Sequence, residues 1–199
     1  MAITNNLFNF TQITIMTNTN TIVLQEEVIV SDPCYTIPTW CQIKLKNVLP
    51  GSYKTFVDKS NSFGWGMRCH RLGVVHTDYV NKELSWRIIP GNVGVDSGQA
   101  GIFSLEGYRN DELAESITAP DSKFIISRDG EGDAWYEKMC KFTLDEQQWG
   151  SYDTGVVSSS GIGDGGYDCL VARHKGKIVG ICINYGLDKS PNKFINTLF

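Results

Sequence analysis

Apolar residues in this chain fall in short runs separated by glycine, proline, asparagine and aspartate, and that spacing predicts strands far more often than helices. The clearest pair is Tyr167–Arg173 and Lys177–Tyr185, which flank a His-Lys-Gly turn and predict a β-hairpin. Upstream, TIVL and VIVS predict two strands, and Asp32-Pro33 ends the second because proline restricts the residue before it and has no amide to donate. Ile43, Leu45 and Val48 alternate, Pro50-Gly51 turns, and Tyr53 and Phe56 resume, which predicts a second hairpin. Gly64-Trp65-Gly66 predicts a bulge or a close backbone approach. Beyond Pro90-Gly91, residues 92–105 read as strand, tight glycine loop, strand, and Lys123–Ser127 reads as another strand. The polar interval 107–122 predicts a surface loop with one helical turn at Asp111–Ser116. In 130–144, Trp135, Met139 and Phe142 fit a short helix, whereas Trp135, Glu137 and Met139 alternate as in a strand; the helix is the preferred reading.

About ten strands with little helix predict a mainly β fold: a single-domain antiparallel β-sandwich or open barrel with one or two short helices. Residues 1–21 are rich in Asn and Thr and read as an arm or, around Ile13 and Ile15, an edge strand; residues 22–199 read as one β-rich globular domain. A net charge of −4 and a pI near 5.4 give no global attraction for nucleic acid or anionic lipid. Arg68, His70 and Arg71 form the closest basic cluster, readable as a solvated strand face or as a phosphate patch. No apolar run approaches the ~20 residues needed to span a bilayer. The first residues lack the pattern of a secretory signal, so the expectation is a soluble protein in the cytoplasm of a bacterium or an infected host cell, with six reduced thiols.

Three loops share one composition: Ser31–Cys34, Val95–Gly101 and Gly161–Tyr167, each with an aspartate at or near the end of an apolar run, then residues that permit a sharp turn. Asp32, Asp96 and Asp164 can each serve as a structural Asx-turn. Gathered at one end of a sandwich, the same three carboxylates are candidates for binding a divalent cation or for an acid/base pair in hydrolysis. The ligand-binding set predicted for such a mouth is Asp32, Cys34, Trp65, Asp96, Gln99, Asp164 and Tyr167, with the two aromatics as stacking platforms. Cys34 is the cysteine expected outside the core, with His70, His76 and His174 as conceivable partners. Gly161–Gly166 matches GxGxxG but precedes a strand, and no GK[ST] occurs, which argues against dinucleotide and P-loop assignments.

The SDPCY turn, the central VDSGQAGIF and the terminal GDGGYDCLVARHKGKIVGICINY resemble, in order and spacing, three short motifs of the bacterial and phage domain-of-unknown-function family 4241. The likeness spans Glu27 to Tyr185 and departs at Ser31, where glycine is common. It implies a compact β-rich domain of phage or bacterial origin and carries no activity or catalytic residue. The leading expectation is a binding protein for a small polar, nucleotide-like ligand, acting in phage–host conflict. The alternatives are a metal-assisted or acid/base hydrolase using Asp32, Asp96 and Asp164, and a protein-interaction or inhibitor domain that meets a host protein.

Overall fold

Two open antiparallel sheets lie face to face and do not close into a barrel. The computed structural model describes residues 15–16, 20–62, 64–127 and 129–186. Seven strands form the larger sheet: β1 (Ile15–Met16), β2 (Thr21–Leu24), β5 (Gly51–Ser62), β6 (Gly66–His76), β7 (Trp86–Val95), β11 (Gly165–His174) and β12 (Lys177–Asn184). Five form the smaller: β3 (Val28–Ser31), β4 (Ile43–Leu45), β8 (Gln99–Ser104), β9 (Trp149–Tyr152) and β10 (Gly155–Ser159). Of the Asn/Thr-rich start, Ile15–Met16 pairs with Lys59 and Asp58 at the sheet edge, while Ile13 lies outside the described residues.

Period-2 alternation sends Ile22, Leu24, Leu72, Val74, Ile102, Val156, Ile181 and Ile183 into the core between the sheets. The smaller sheet is apolar on its outer face too, where Ile29, Phe103 and Val157 meet Trp135, Met139 and Phe142 of helix α2 (Asp133–Leu144). Burial on both faces is why VIVS shows no polar alternation. The floor under α2 needs glycine: a Cβ on Gly150 would fall 2.0 Å from the Phe142 ring, and one on Gly101 2.2 Å from Phe103.

The His-Lys-Gly hairpin is as expected, its turn formed by Lys175 and Gly176, both at positive φ, which suits the right-handed twist of the strands. Helix α2 and the single helical turn α1 (Asp111–Ala114) also match. Other expectations are corrected. Strands β4 and β5 are not a hairpin: they belong to different sheets, and the chain crosses between them with Val48 donating to Glu26 O and Leu49 to Ile178 O. The strand, loop, strand reading of residues 92–105 holds as β7, Asp96–Gly98 and β8, and because β7 and β8 belong to different sheets the loop is an arch across the end of the sandwich. Gly64 and Gly66 serve the positive φ of the β5–β6 turn and face open space rather than a close backbone. Pro90-Gly91 does not end a strand; it lies within edge strand β7, where a missing donor is tolerated and the pairing with β11 is irregular. Lys123–Ser127 is not a strand.

Candidate functional site at the loop end

Strand β3 delivers Asp32 to the end of the sandwich and buries it completely, at 0 % exposure. Its Oδ1 accepts the Cys34 amide at 2.9 Å and the Ser97 hydroxyl at 2.6 Å; Oδ2 accepts the amides of Asp96 at 2.9 Å and Ser97 at 2.7 Å. Four donors on one carboxylate exchange the hydration it has lost for short charge-assisted bonds. The third loop joins through Asp164, which is exposed and accepts the Gly98 amide at 3.0 Å, while Ser160 N donates to Gly98 O at 2.9 Å. Hydrogen bonds therefore bring the three aspartate loops together, but not as three free carboxylates: Asp32 faces the Asp96 amide, and Asp96 is exposed.

The backbone of the SDPCY turn is held from the other side. Tyr108 places its hydroxyl 2.7 Å from Tyr35 O and 2.9 Å from Asp32 O, and Arg109 donates to Pro33 O at 3.0 Å while pairing with Asp133 at 3.1 Å. Burial pushes the Tyr108 phenol up to about 12, so it stays a donor. Neither residue is predicted from sequence, because both sit in an interval whose polarity reads as surface loop.

The other predicted residues divide. Tyr167 directs its hydroxyl to Gly163 O at 2.6 Å and Ser160 O at 3.0 Å, and so braces the glycine loop from within. Gln99 turns away from the loop end into the sheet–helix interface, donating to Cys140 Sγ at 3.3 Å and accepting from Thr143 Oγ1 at 3.0 Å. Trp65 sits at the tip of the β5–β6 hairpin, 61 % exposed, outside the hydrogen bonds that join the three loops. Cys34 is half-buried, and burial first, with the Asp32 carboxylate second, pushes its thiol up to about 12. It is therefore a thiol and not a thiolate at neutral pH, the opposite of what a nucleophile needs. Iodoacetamide labelling of Cys34 at pH 7, followed by peptide mass spectrometry, should run roughly a hundredfold or more below a free cysteine; labelling at the free-thiol rate would refute the raised value.

Trp40 went unpredicted, since a tryptophan in a short loop carries no signal of its own exposure. It stands 95 % exposed on a loop pinned by Thr39 N to Gln42 Oε1 at 2.8 Å, Gln42 Nε2 to Ser31 Oγ at 3.1 Å, and Gly94 N to Cys41 O at 3.0 Å. Ile37 and Ile162 are exposed on loops at the same end. Among the described residues no group of three His, Cys, Asp or Glu side chains is placed to hold a metal ion. For Asp32 the reason is plain, because its lone pairs are already occupied by protein donors. A separate cleft of about 260 Å³, lined by Leu113, Ile117, Ser151, Tyr152 and Thr154 among others, opens between the α1 segment and the β9–β10 turn.

No protein-family model, curated protein or solved structure matches the chain, so the likeness to family 4241 rests on the three motifs alone.

Proposed function

We propose that the chain is a binding protein whose site is this loop end, and that its ligand is small, planar and rich in hydrogen-bond donors, of the nucleobase or nucleoside kind. The observation that carries the reading is Trp40, an exposed ring on a pinned loop at the same end as two exposed carboxylates, Asp96 and Asp164. An indole face stacks on any planar ring, and carboxylates accept from exocyclic amines. The same carboxylates repel a bare phosphate. The phage or bacterial setting implied by the motif resemblance belongs to this proposal.

Isothermal titration calorimetry with a panel of nucleobases and nucleosides tests it. Binding should be lost in both Trp40→Ala and Asp164→Ala. Because Asp164 is exposed and holds one amide, its removal should cost only about 0.5–1.5 kcal/mol of stability. Severe unfolding of Asp164→Ala would instead make it a structural turn, and unchanged binding in both variants would remove the site. A second reading, a protein-interaction surface, is favoured by the exposure of Ile37 and Ile162 at the same end. It predicts that Trp40→Ala and Ile162→Ser abolish capture of a protein partner while small-molecule titrations stay flat.

A further inference from the structure

The smaller sheet carries helix α2 on its outer face; the outer face of the larger sheet is buried as well. Val57, Leu72, Ile181 and Ile183 fill the core on the inner side. Alternation therefore turns Phe56, Asp58 and Ser60 of β5, Arg71 of β6, and Cys182 and Asn184 of β12 outward. At one end of this face Leu49, Tyr79, Val80 and Leu84 pack on the cluster that holds Phe56, Val75 and Trp86. Beside that cluster runs a polar row, in which Asp58 stands across from Arg71, Arg71 from Asn184, and Asn184 from Asp168.

A sheet face open to water leaves charged and hydroxyl side chains largely exposed. Here Asp58, Ser60 and Arg71 are only 6, 4 and 4 % exposed. None of Phe56, Arg71 and Asn184, neighbours on the face, is free of further interactions. The basic cluster of β6 is thus not the solvated strand face that its sequence suggests; a layer covers it.

The chain that leaves β12 steps onto this same face. Gly186 N donates to the Asn184 side chain at 3.2 Å, and a Cβ on Gly186 would fall 2.9 Å from His70 Nδ1. Beyond it, Ser190-Pro191 is a helix-start pattern, and Phe194, Ile195, Leu198 and Phe199 have the spacing of one helix face. A helix over 190–199 would be ~15 Å long at ~1.5 Å per residue. Three neighbouring strands span ~10 Å at ~4.8 Å each, so its length matches the width of β12, β6 and β5. The N-terminal segment is placed differently. It enters through β1, in the plane of the sheet, paired with Lys59 and Asp58 at the edge of β5.

We propose that residues 187–199 turn back from Gly186 as an amphipathic helix and dock on the outer face of the larger sheet, across β12, β6 and β5. The apolar side of that helix meets Phe56, Cys182 and Leu170, which are at most 1 % exposed, and shields the Asp58–Arg71 pair from water. The face is then interior to the fold, with a helix on the outside of each sheet.

The test stays with the full chain. Ser60→Cys puts a reporter thiol beneath the cover, while Cys169, at 0 % exposure on the inner face, reports global opening. Native alkylation near pH 7.5, read by peptide mass spectrometry, should be slow at both positions. Adding Phe194→Asp or Leu198→Asp should speed labelling at position 60 tenfold or more and leave Cys169 protected. Asn196→Asp, on the polar side of the helix, should change neither. Continued protection of position 60 in both apolar variants would overturn the proposal. So would unmasking by Phe8→Asp or Phe10→Asp in their place, which would assign the cover to the N-terminal segment, or by dilution alone, which would assign it to a second copy of the chain. Should the aspartate variants open Cys169 as well, a benzophenone photo-cross-linker at position 198 of the otherwise unchanged chain decides. Cross-links within one chain to β5, β6 or β12 support the docked helix; cross-links confined to other elements or to a second chain overturn it.

Discussion

Replacing Trp135 by alanine is expected to cost about 3–5 kcal/mol, the range for removing a large ring from a core, and so to consume much of the stability of a domain this size. Trp135 is wholly buried between α2 and the smaller sheet. Its ring meets Phe103 at 5.1 Å, Tyr108 at 5.2 Å and Tyr152 at 6.3 Å, all edge-on or nearly so, and its Nε1 donates to the Tyr152 hydroxyl at 3.0 Å. The floor beneath cannot rise to fill the hole, because Gly101 and Gly155 already lie against Phe103. The cap on the helix's first turn is made by backbone donors that alanine keeps, so the loss comes from the ring alone. The helix Ncap, Gly132, has no side chain to cap with, and the cap comes from Asp111, which accepts Gly132 N at 2.8 Å and Trp135 N at 2.9 Å. Trp135→Phe keeps most of the packing and loses the indole donor, so about 1–2 kcal/mol is expected for it. Chemical denaturation reads both; a loss under about 1.5 kcal/mol for the alanine variant would mean that α2 is not integral to the fold.

That packing also shows which parts of the fold were legible beforehand. Short apolar runs bounded by turn residues marked β2, β3, β11 and β12, and the helical spacing of Trp135, Met139 and Phe142 marked α2, because each is a local pattern. Partnership between strands is not local. The Pro50-Gly51 and Asp96–Gly98 segments have the composition of hairpin turns, yet the first follows a crossover between the sheets and the second is itself the arch joining them. Which one a turn becomes depends on which sheet each flanking strand joins, and residues far along the chain decide that. Lys123–Ser127 has strand composition and no strand neighbour, so it stays irregular. At the loop end the three aspartates could be picked out by composition, but their roles could not. Nothing near Asp32 in sequence announces Ser97 as the donor of two of its bonds, or Tyr108 and Arg109 as the clamps on its turn.

The second large effect concerns Asp32 itself. Asp32→Ala removes one acceptor from three amides and a hydroxyl at the end of the sandwich. Buried amides left without partners cost about 1–3 kcal/mol each, but water entering the space of the lost carboxylate relieves part of that, so the expected loss is about 3–5 kcal/mol in total. Asp32→Asn is not a neutral replacement. Two N–H groups meet at the Oδ2 position and demand an oxygen there, which puts the new NH₂ against the Cys34 amide while the Ser97 hydroxyl turns to accept. One donor–donor clash in place of three orphans should make Asn milder than Ala by about 1–2 kcal/mol. Hydrogen exchange locates the damage: the Asp96 and Ser97 amides should lose protection in Asp32→Ala, while core amides of β6 and β12 change only as far as global stability falls. Amides that stayed protected would mean that the arch is held by something other than Asp32. If instead the arch opens, Asp96 and Gly98 lose their fixed places, and with Gly98 goes the amide that positions Asp164. Asp32→Ala should therefore abolish binding at the loop end even though the side chain it removes is wholly buried, whereas Asp164→Ala should abolish binding with the arch still closed.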